Sequence, residues 1–421
     1  MDIVKLVLIF LIVMVLINRK MPLAGALAIG SVLGCLFYTL GLRNSIQVIL
    51  GGIFNETTIT VLVITYVITF LQRMLEKRDD LMKAQNALSG IFNSRRVNAS
   101  AAPIFIGLLP GAASAFIAGD LVKSATGDYL DRDEQAFVTS YYRHIPESCL
   151  PTYSSIVLAL SLSGVATGSF LLAMIPPVIL LIALGYVFYL RKVPKDTGVP
   201  PAEHKGREWG KLFSSLWPLA LAIALVILVP CIPFSSLSFL PEPAAEFLSD
   251  FPVWLAVLIS IVLYFFISRF RWKEIAPFFR SSFRPRIMLN ILSVMVFKAV
   301  LTESGVITEL TDLLSGLPIP AFLVFALIFL LGTIVSGSTA IISLCTAPAF
   351  AAIPGGGAPL LMLLMCFTYA AMQVSPTHLC LTLIAEYFGS NLVSLVKKTL
   401  PVILVFLPCV LGYYLLLTAL L

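Results

Sequence analysis

Charge is what this sequence has least of. Asp, Glu, Lys and Arg make up 12% of its 421 residues, where a soluble domain averages about 25%. The net charge of +6 forms no basic face, because Lys and Arg cluster in short loops between apolar runs; a nucleic-acid partner is therefore excluded. Histidine is scarcer still, and of the three His204 sits in a polar linker and reads as solvated. The seven cysteines lack paired spacing. Cys35, Cys149, Cys345 and Cys380 lie in apolar segments and read as buried small hydrophobes in a reduced protein, with no disulfide frame and no metal site. HExxH, GxSxG and Walker motifs are missing. GAASAFIAGD lacks the spacing of a dinucleotide fingerprint, and PGGG at Pro354 is too short to cradle phosphate. No enzyme signature and no organic cofactor is left.

What is present is apolar length. Hydrophobic residues make up 59% of the chain and the mean hydropathy is +0.99, with repeated runs near the roughly 20 residues that cross a bilayer. The chain is expected to be an all-α polytopic membrane protein. Ile3–Ile17 has no small-residue cleavage site and reads as a retained first span, with Arg19 and Lys20 marking its cytoplasmic end and leaving the N-terminus outside. Further spans are expected over Pro22–Leu42, Thr57–Met74, Gly168–Leu190, Leu212–Val229, Val253–Ile267 and Ile287–Leu301. Arg43 lies in a short loop before the third. Lys and Arg between Arg73 and Arg96, and after Leu190, fall on the inner side; the loop with Glu242, Glu246 and Asp250 falls outside. Ala99–Leu121 turns at Pro110–Ser114. A re-entrant hairpin there keeps Lys123, Arg132 and Arg143 inside, whereas a single crossing would expose them.

One further span is interrupted. Asp131–His144 reads as a half helix, Ile145–Pro151 as a break and Thr152–Ser163 as its continuation. Pro146 and Pro151 each remove an amide donor, and in lipid such a break survives only when packed in protein or lining a polar cavity. Glu147 sits between the two prolines.

The second half repeats this order. Gly111 answers Gly337, Pro146 answers Pro376, Pro177 answers Pro401 and Gly185 answers Gly412, at a nearly constant offset. Residues 1–191 therefore form one repeat, 192–211 a cytoplasmic linker and 212–421 a second repeat whose hairpin is Pro320–Ile353. Each has five crossings and one hairpin, giving about ten transmembrane helices. An odd number of crossings inverts the second copy about an axis in the membrane plane.

Four polar islands then converge near the midplane: the turns Gly111–Ser114 and Ser336–Thr339, and the breaks Pro146–Ser148 and Ser375–His378. Half-helix N-termini suit a carboxylate; unwound carbonyls and hydroxyls suit sodium. The candidate binding residues are Gly111, Ser114, Glu147, Ser148, Thr152, Ser336, Gly337, Ser338, Thr339, Ser375, Thr377 and His378. Each hydroxyl has a plainer role as a helix cap or a bond back to the backbone. Glu147 is the candidate proton-coupling residue, an intramembrane acid being functional by default, or else it pairs with Arg143 or His144 to pin the break. Lys298 either attracts an anion or snorkels outward. The function expected is secondary active transport of a small organic anion by sodium- or proton-coupled symport. The alternatives are a cation/proton antiporter and, more distantly, an intramembrane enzyme.

Paired hairpins with Ser/Thr-Gly turns, each followed by a proline-broken helix, resemble the ion transporter superfamily: divalent-anion symporters, citrate and gluconate transporters, and the membrane subunits of tripartite carriers. The chain is most similar to an uncharacterised bacterial and archaeal membrane family within it. Where the divalent-anion symporters carry Ser-Asn-Thr, this chain has Gly111-Ala112-Ala113-Ser114 and Gly337-Ser338-Thr339. The resemblance implies an elevator-type mechanism in a homodimer in the cytoplasmic membrane, with hairpins and broken helices moving against a scaffold.

Overall fold

In lipid an unpaired backbone amide costs several kcal/mol, so a chain this apolar closes its hydrogen bonds within helices. The computed structural model describes residues 2–108, 113–197, 205–229, 232, 241, 252–306, 309, 318–375 and 378–420, and every regular element among them is helical. First come α1 (Asp2–Asn18), α2 (Leu23–Phe37), α3 (Leu42–Phe54), α4 (Glu56–Lys77) and α5 (Asp80–Phe92). The pair α6 (Arg95–Gly107) and α7 (Ala113–Thr126) is followed by a helix in three pieces, α8 (Arg132–Arg143), α9 (Ile145–Cys149) and α10 (Ser154–Ser163), then by α11 (Thr167–Phe188). Next are α12 (Lys205–Leu228), α13 (Val253–Ile267), α14 (Trp272–Ser281) and α15 (Pro285–Glu303). A second pair, α16 (Ala321–Ser336) and α17 (Ser338–Ala352), precedes the broken α18 (Gly357–Met372) and α19 (Leu379–Tyr387), and α20 (Leu392–Leu420) ends the chain. Helix pair, broken helix and long helix thus occur twice in the same order. Stretches within α3–α4, α11, α12, α15 and α20 are long and apolar enough to cross a membrane, and the protein is an all-helical polytopic membrane protein.

The structure departs from the sequence reading at three places. The loop expected around Arg43 is the helix α3, which packs on α15. The basic stretch after Ile267 contains α14, a separate helix packed on α4. The break does not unwind at Pro146, which occupies the first turn of α9, a position where a missing amide donor costs nothing; the chain leaves the helix at Leu150–Tyr153 instead.

Two packed groups result. In one, α15 lies on α2 and α3, α13 on α4 and α12, and α12 on α5. The other draws on both halves of the chain: α10 packs on α17, α11 on α18, and α20 on α8 and α18. Its centre is α18, buried at every residue from Pro359 to Met372. Buried hydroxyls fasten the neighbours: Tyr369 donates to the Tyr141 carbonyl at 2.8 Å, and Tyr141 to that of Leu181 at 2.8 Å.

Charges tie the same group at one end. Lys192 Nζ reaches Glu134 at 2.6 Å, and Lys398 Nζ reaches Asp131 at 2.8 Å and Glu134 at 3.5 Å. Burial alone would raise the Asp131 carboxyl, but the Lys398 ammonium and the amides at the start of α8 outweigh it and hold the group below its usual value. A carboxyl lowered by folding stabilises above its unfolded pKa and loses that contribution as pH falls through the folded value. Asp131 is 56% exposed, so solvent screens the pair. Lys398→Ala is expected to cost about 0.5–1 kcal/mol near neutral pH. The deficit against the parent chain should shrink in acid and in high salt, as read by unfolding temperature.

Candidate functional site

The two broken helices meet at their breaks. α8 ends at Arg143, and the sharp approach of α6 allows it. A Cβ on Gly107 would stand 2.2 Å from the Arg143 carbonyl oxygen, so only glycine fits, and the Tyr153 hydroxyl donates to the Gly107 carbonyl from beyond the break. From this junction His144, fully buried, points its ring across to α19.

Hydrogen bonding fixes the tautomers. His144 Nδ1 lies 2.6 Å from the Ser140 carbonyl oxygen, which can only accept, so Nδ1 carries a proton. Nε2 then offers its single lone pair, which Arg143 Nη1 at 3.2 Å and the N–H of His378 Nε2 at 2.9 Å share. His144 is therefore neutral in this arrangement, and the positive charge beside it belongs to the buried guanidinium of Arg143. Glu147 Oε2 is 3.9 Å from His144 Nε2. Cys380 completes the group: its sulfur and the nitrogens of His144 and His378 lie within 4.8 Å of one another. That donor set has metal-ligand chemistry, but the guanidinium directed at His144 Nε2 opposes a cation there.

A second chain of contacts joins the two halves. Ser140 Oγ donates to Gln373 Oε1 at 3.1 Å. Ser375 Oγ donates to the Ile334 carbonyl at 2.9 Å, linking the second break to the end of α16. Gln373 Nε2, Thr333 Oγ1 and Thr152 Oγ1 are buried with no protein partner among the described residues, so polar capacity remains in this region for water, an ion or a ligand. On the far side of Pro151 a cavity of about 580 Å³ runs between the two helix groups. Its lining includes Glu56, Thr57 and Thr60 of α4, Ser161 and Ser163 of α10, and Lys298 of α15.

The sequence candidates divide accordingly. Glu147 and His378 belong to the cluster itself. Ser375 lies buried beside it, and Thr152 sits in the unwound segment with its carbonyl accepting from Gln72 at 3.2 Å. Ser148 and Ser336 bond back to their own helices, to Ile145 and Gly332. Gly337, at φ +87°, is the single residue joining α16 to α17, and Ser338 and Thr339 open α17 half-buried. Gly111, Thr377 and the side chain of Ser114 lie outside the described residues, as do the acidic loop of Glu242, Glu246 and Asp250 and linker residue His204. Sequence reasoning used Arg143 as an inner-side charge and, with His144, as a possible partner for Glu147; it read Cys380 as a small hydrophobe and passed over Ser140 and Gln373. A charge, an amide and a thiol beside a proline in an otherwise apolar run were the available signals.

A family model described as "Protein of unknown function (DUF401)" matches residues 3–418. No curated protein matches the sequence. Among solved structures, the YdaH transporter of Alcanivorax borkumensis is similar over 90% of this chain and 88% of its own, with a TM-score of 0.52 at 15% identity. MtrF of Neisseria gonorrhoeae, described as illuminating a class of antimetabolite efflux pumps, is similar over 88% of this chain and 82% of its own, with a TM-score of 0.50 at 14% identity. At these identities the likeness is one of fold.

Proposed function

We propose that the chain, which belongs to the DUF401 family, is a secondary active transporter for a small carboxylate-bearing organic anion, coupled to protons or sodium across the cytoplasmic membrane. One observation carries this reading: the breaks of two helices, 234 residues apart in sequence at His144 and His378, meet around a buried guanidinium with an acid beside it. A protein with no site to form gains nothing from two interruptions that lipid penalises. Arg143 supplies the charge for a carboxylate, the orphaned hydroxyls and amide supply oxygen and nitrogen partners, and Glu147 is the coupling group. The transporter descriptions of the two similar folds support the same class. In this reading the group containing both breaks moves against the other as an elevator, the two halves are inverted repeats, the N-terminus is outside and the working unit is a homodimer, as in the ion transporter superfamily.

Counterflow in proteoliposomes loaded with single organic acids tests it. Saturable uptake of one carboxylate, stimulated by an inward proton or sodium gradient, is the expected outcome. Exchange of a cation for protons with no organic substrate would instead establish the second reading, a cation/proton antiporter, for which the position of Glu147 beside His144 also serves. Topology has its own check: single cysteines at Asn86 and Thr311 (the latter outside the described residues) are expected to label from opposite sides.

A further inference from the structure

The helix α14 carries a feature that transport does not use. Trp272 and Phe279, seven residues apart and hence on one face of a helix, are 64% and 47% exposed, and Phe283 just beyond the helix is 56% exposed. One edge of this face is anchored: Ile275, between the two aromatics, is buried, and both Phe278 and Phe279 pack edge-on against Phe70 of α4. Lys273 and Arg280, also seven apart, border the aromatic stripe and are exposed. From Arg269 to Arg286 the chain has six basic residues against one acid, Glu274, and that acid is engaged by Arg78 at 3.5 Å. Among the described residues, Arg271, Lys273 and Arg280 take part in no ion pair.

We propose that α14 is an interfacial helix that binds the anionic phospholipid of the leaflet at its end of the membrane, its aromatic face in the acyl boundary and its bases on the phosphates. The position fixes the occupant. α13 ends at Ile267 and α15 begins at Pro285, so both flanking helices deliver α14 to one membrane surface, where an exposed Trp/Phe stripe meets lipid and not water. An amphipathic helix of this kind binds by apolar burial plus attraction to anionic headgroups, worth about fivefold in partition for each base near the surface. Because α14 is packed on α4, the bound lipid would brace the helix group that holds α4, α13 and α15.

The test uses the purified full-length chain in detergent, with its unfolding temperature read as lipid is added. Phosphatidylglycerol is expected to raise it by several degrees and phosphatidylcholine much less, with the difference shrinking in high salt. The triple variant Arg271→Gln, Lys273→Gln, Arg280→Gln is expected to lose most of the phosphatidylglycerol increment and to respond to phosphatidylcholine as the parent does. Equal responses to the two lipids, an undiminished increment in the triple variant, or the same shift from soluble glycerol phosphate would each overturn the proposal. Where the variant does not purify, the parent decides: brominated phosphatidylglycerol is expected to quench tryptophan fluorescence more than brominated phosphatidylcholine, and Trp272→Phe to remove that excess. Equal quenching refutes lipid selectivity. None of these readouts depends on transport.

Discussion

Glu147→Gln is expected to abolish gradient-driven net uptake, by about 100-fold or more, while counterflow stays within a few-fold of the parent. Glutamine keeps the shape of the side chain but carries neither the negative charge nor the exchangeable proton. Its oxygen still faces His144, whose Nε2 already takes a proton donor from Arg143 at 3.2 Å. A carrier whose coupling proton has no group to bind loses driven uptake outright, and a hundredfold loss corresponds to about 2.7 kcal/mol or more. Counterflow exchanges loaded carriers and moves no net proton, so it isolates substrate binding from coupling. Undiminished proton-driven accumulation by the glutamine variant would falsify the coupling role. Loss of counterflow in step with net uptake would place Glu147 in substrate binding or in holding the break together.

Gly107→Ala is expected to remove most folded protein. Two effects oppose one another. In a helix interior alanine is favoured over glycine by about 1 kcal/mol; Gly107 is the last residue of α6, so the substitution would gain only part of that. Against that, the new methyl would stand 2.2 Å from the Arg143 carbonyl oxygen. This is a backbone atom at the junction of α8 and α9 and cannot rotate away. Overpacking against side chains costs about 1–3 kcal/mol, and a fixed backbone lies at or above the top of that range, so the clash wins. Gly210→Ala in α12, where an added Cβ has open space, supplies the control and should leave the unfolding temperature unchanged or raised. If both variants behave alike, the close approach of α6 to the break is not what glycine serves at 107.

Much of this architecture was legible because bilayer length and proline chemistry are local. The bounds of α4, α11, α13 and α15 follow apolar runs, and both helix pairs fall where turn residues interrupt such runs. What escaped had mixed character. α3 combines Arg43, Asn44 and Gln47 with a glycine pair, so its apolar residues form a stripe and not a run. α14 has Pro277 inside it and charges around it, which reads as loop until the aromatic spacing is noticed. Pro146 misled in the other direction, since proline interrupts a helix interior but is tolerated in a first turn. The cluster itself was half visible. Glu147 and His378 stood out as ionisable groups near prolines, while the bridge between His144 and His378 depends on tertiary packing that no local pattern records. Arg143 was read as a partner of Glu147 because its neighbour in sequence was known and its neighbours in space were not.

That bridge also sets a timetable for synthesis. His144 leaves the ribosome 234 residues before the histidine that completes its hydrogen bonding. At about 5–20 residues per second, the wait is roughly 10–50 s. Through that interval the first interruption sits in the bilayer or its insertion machinery with only local support, such as the bond from Tyr153 to Gly107. A chain stopped after α11 would carry the interruption permanently without the partner that His378 supplies.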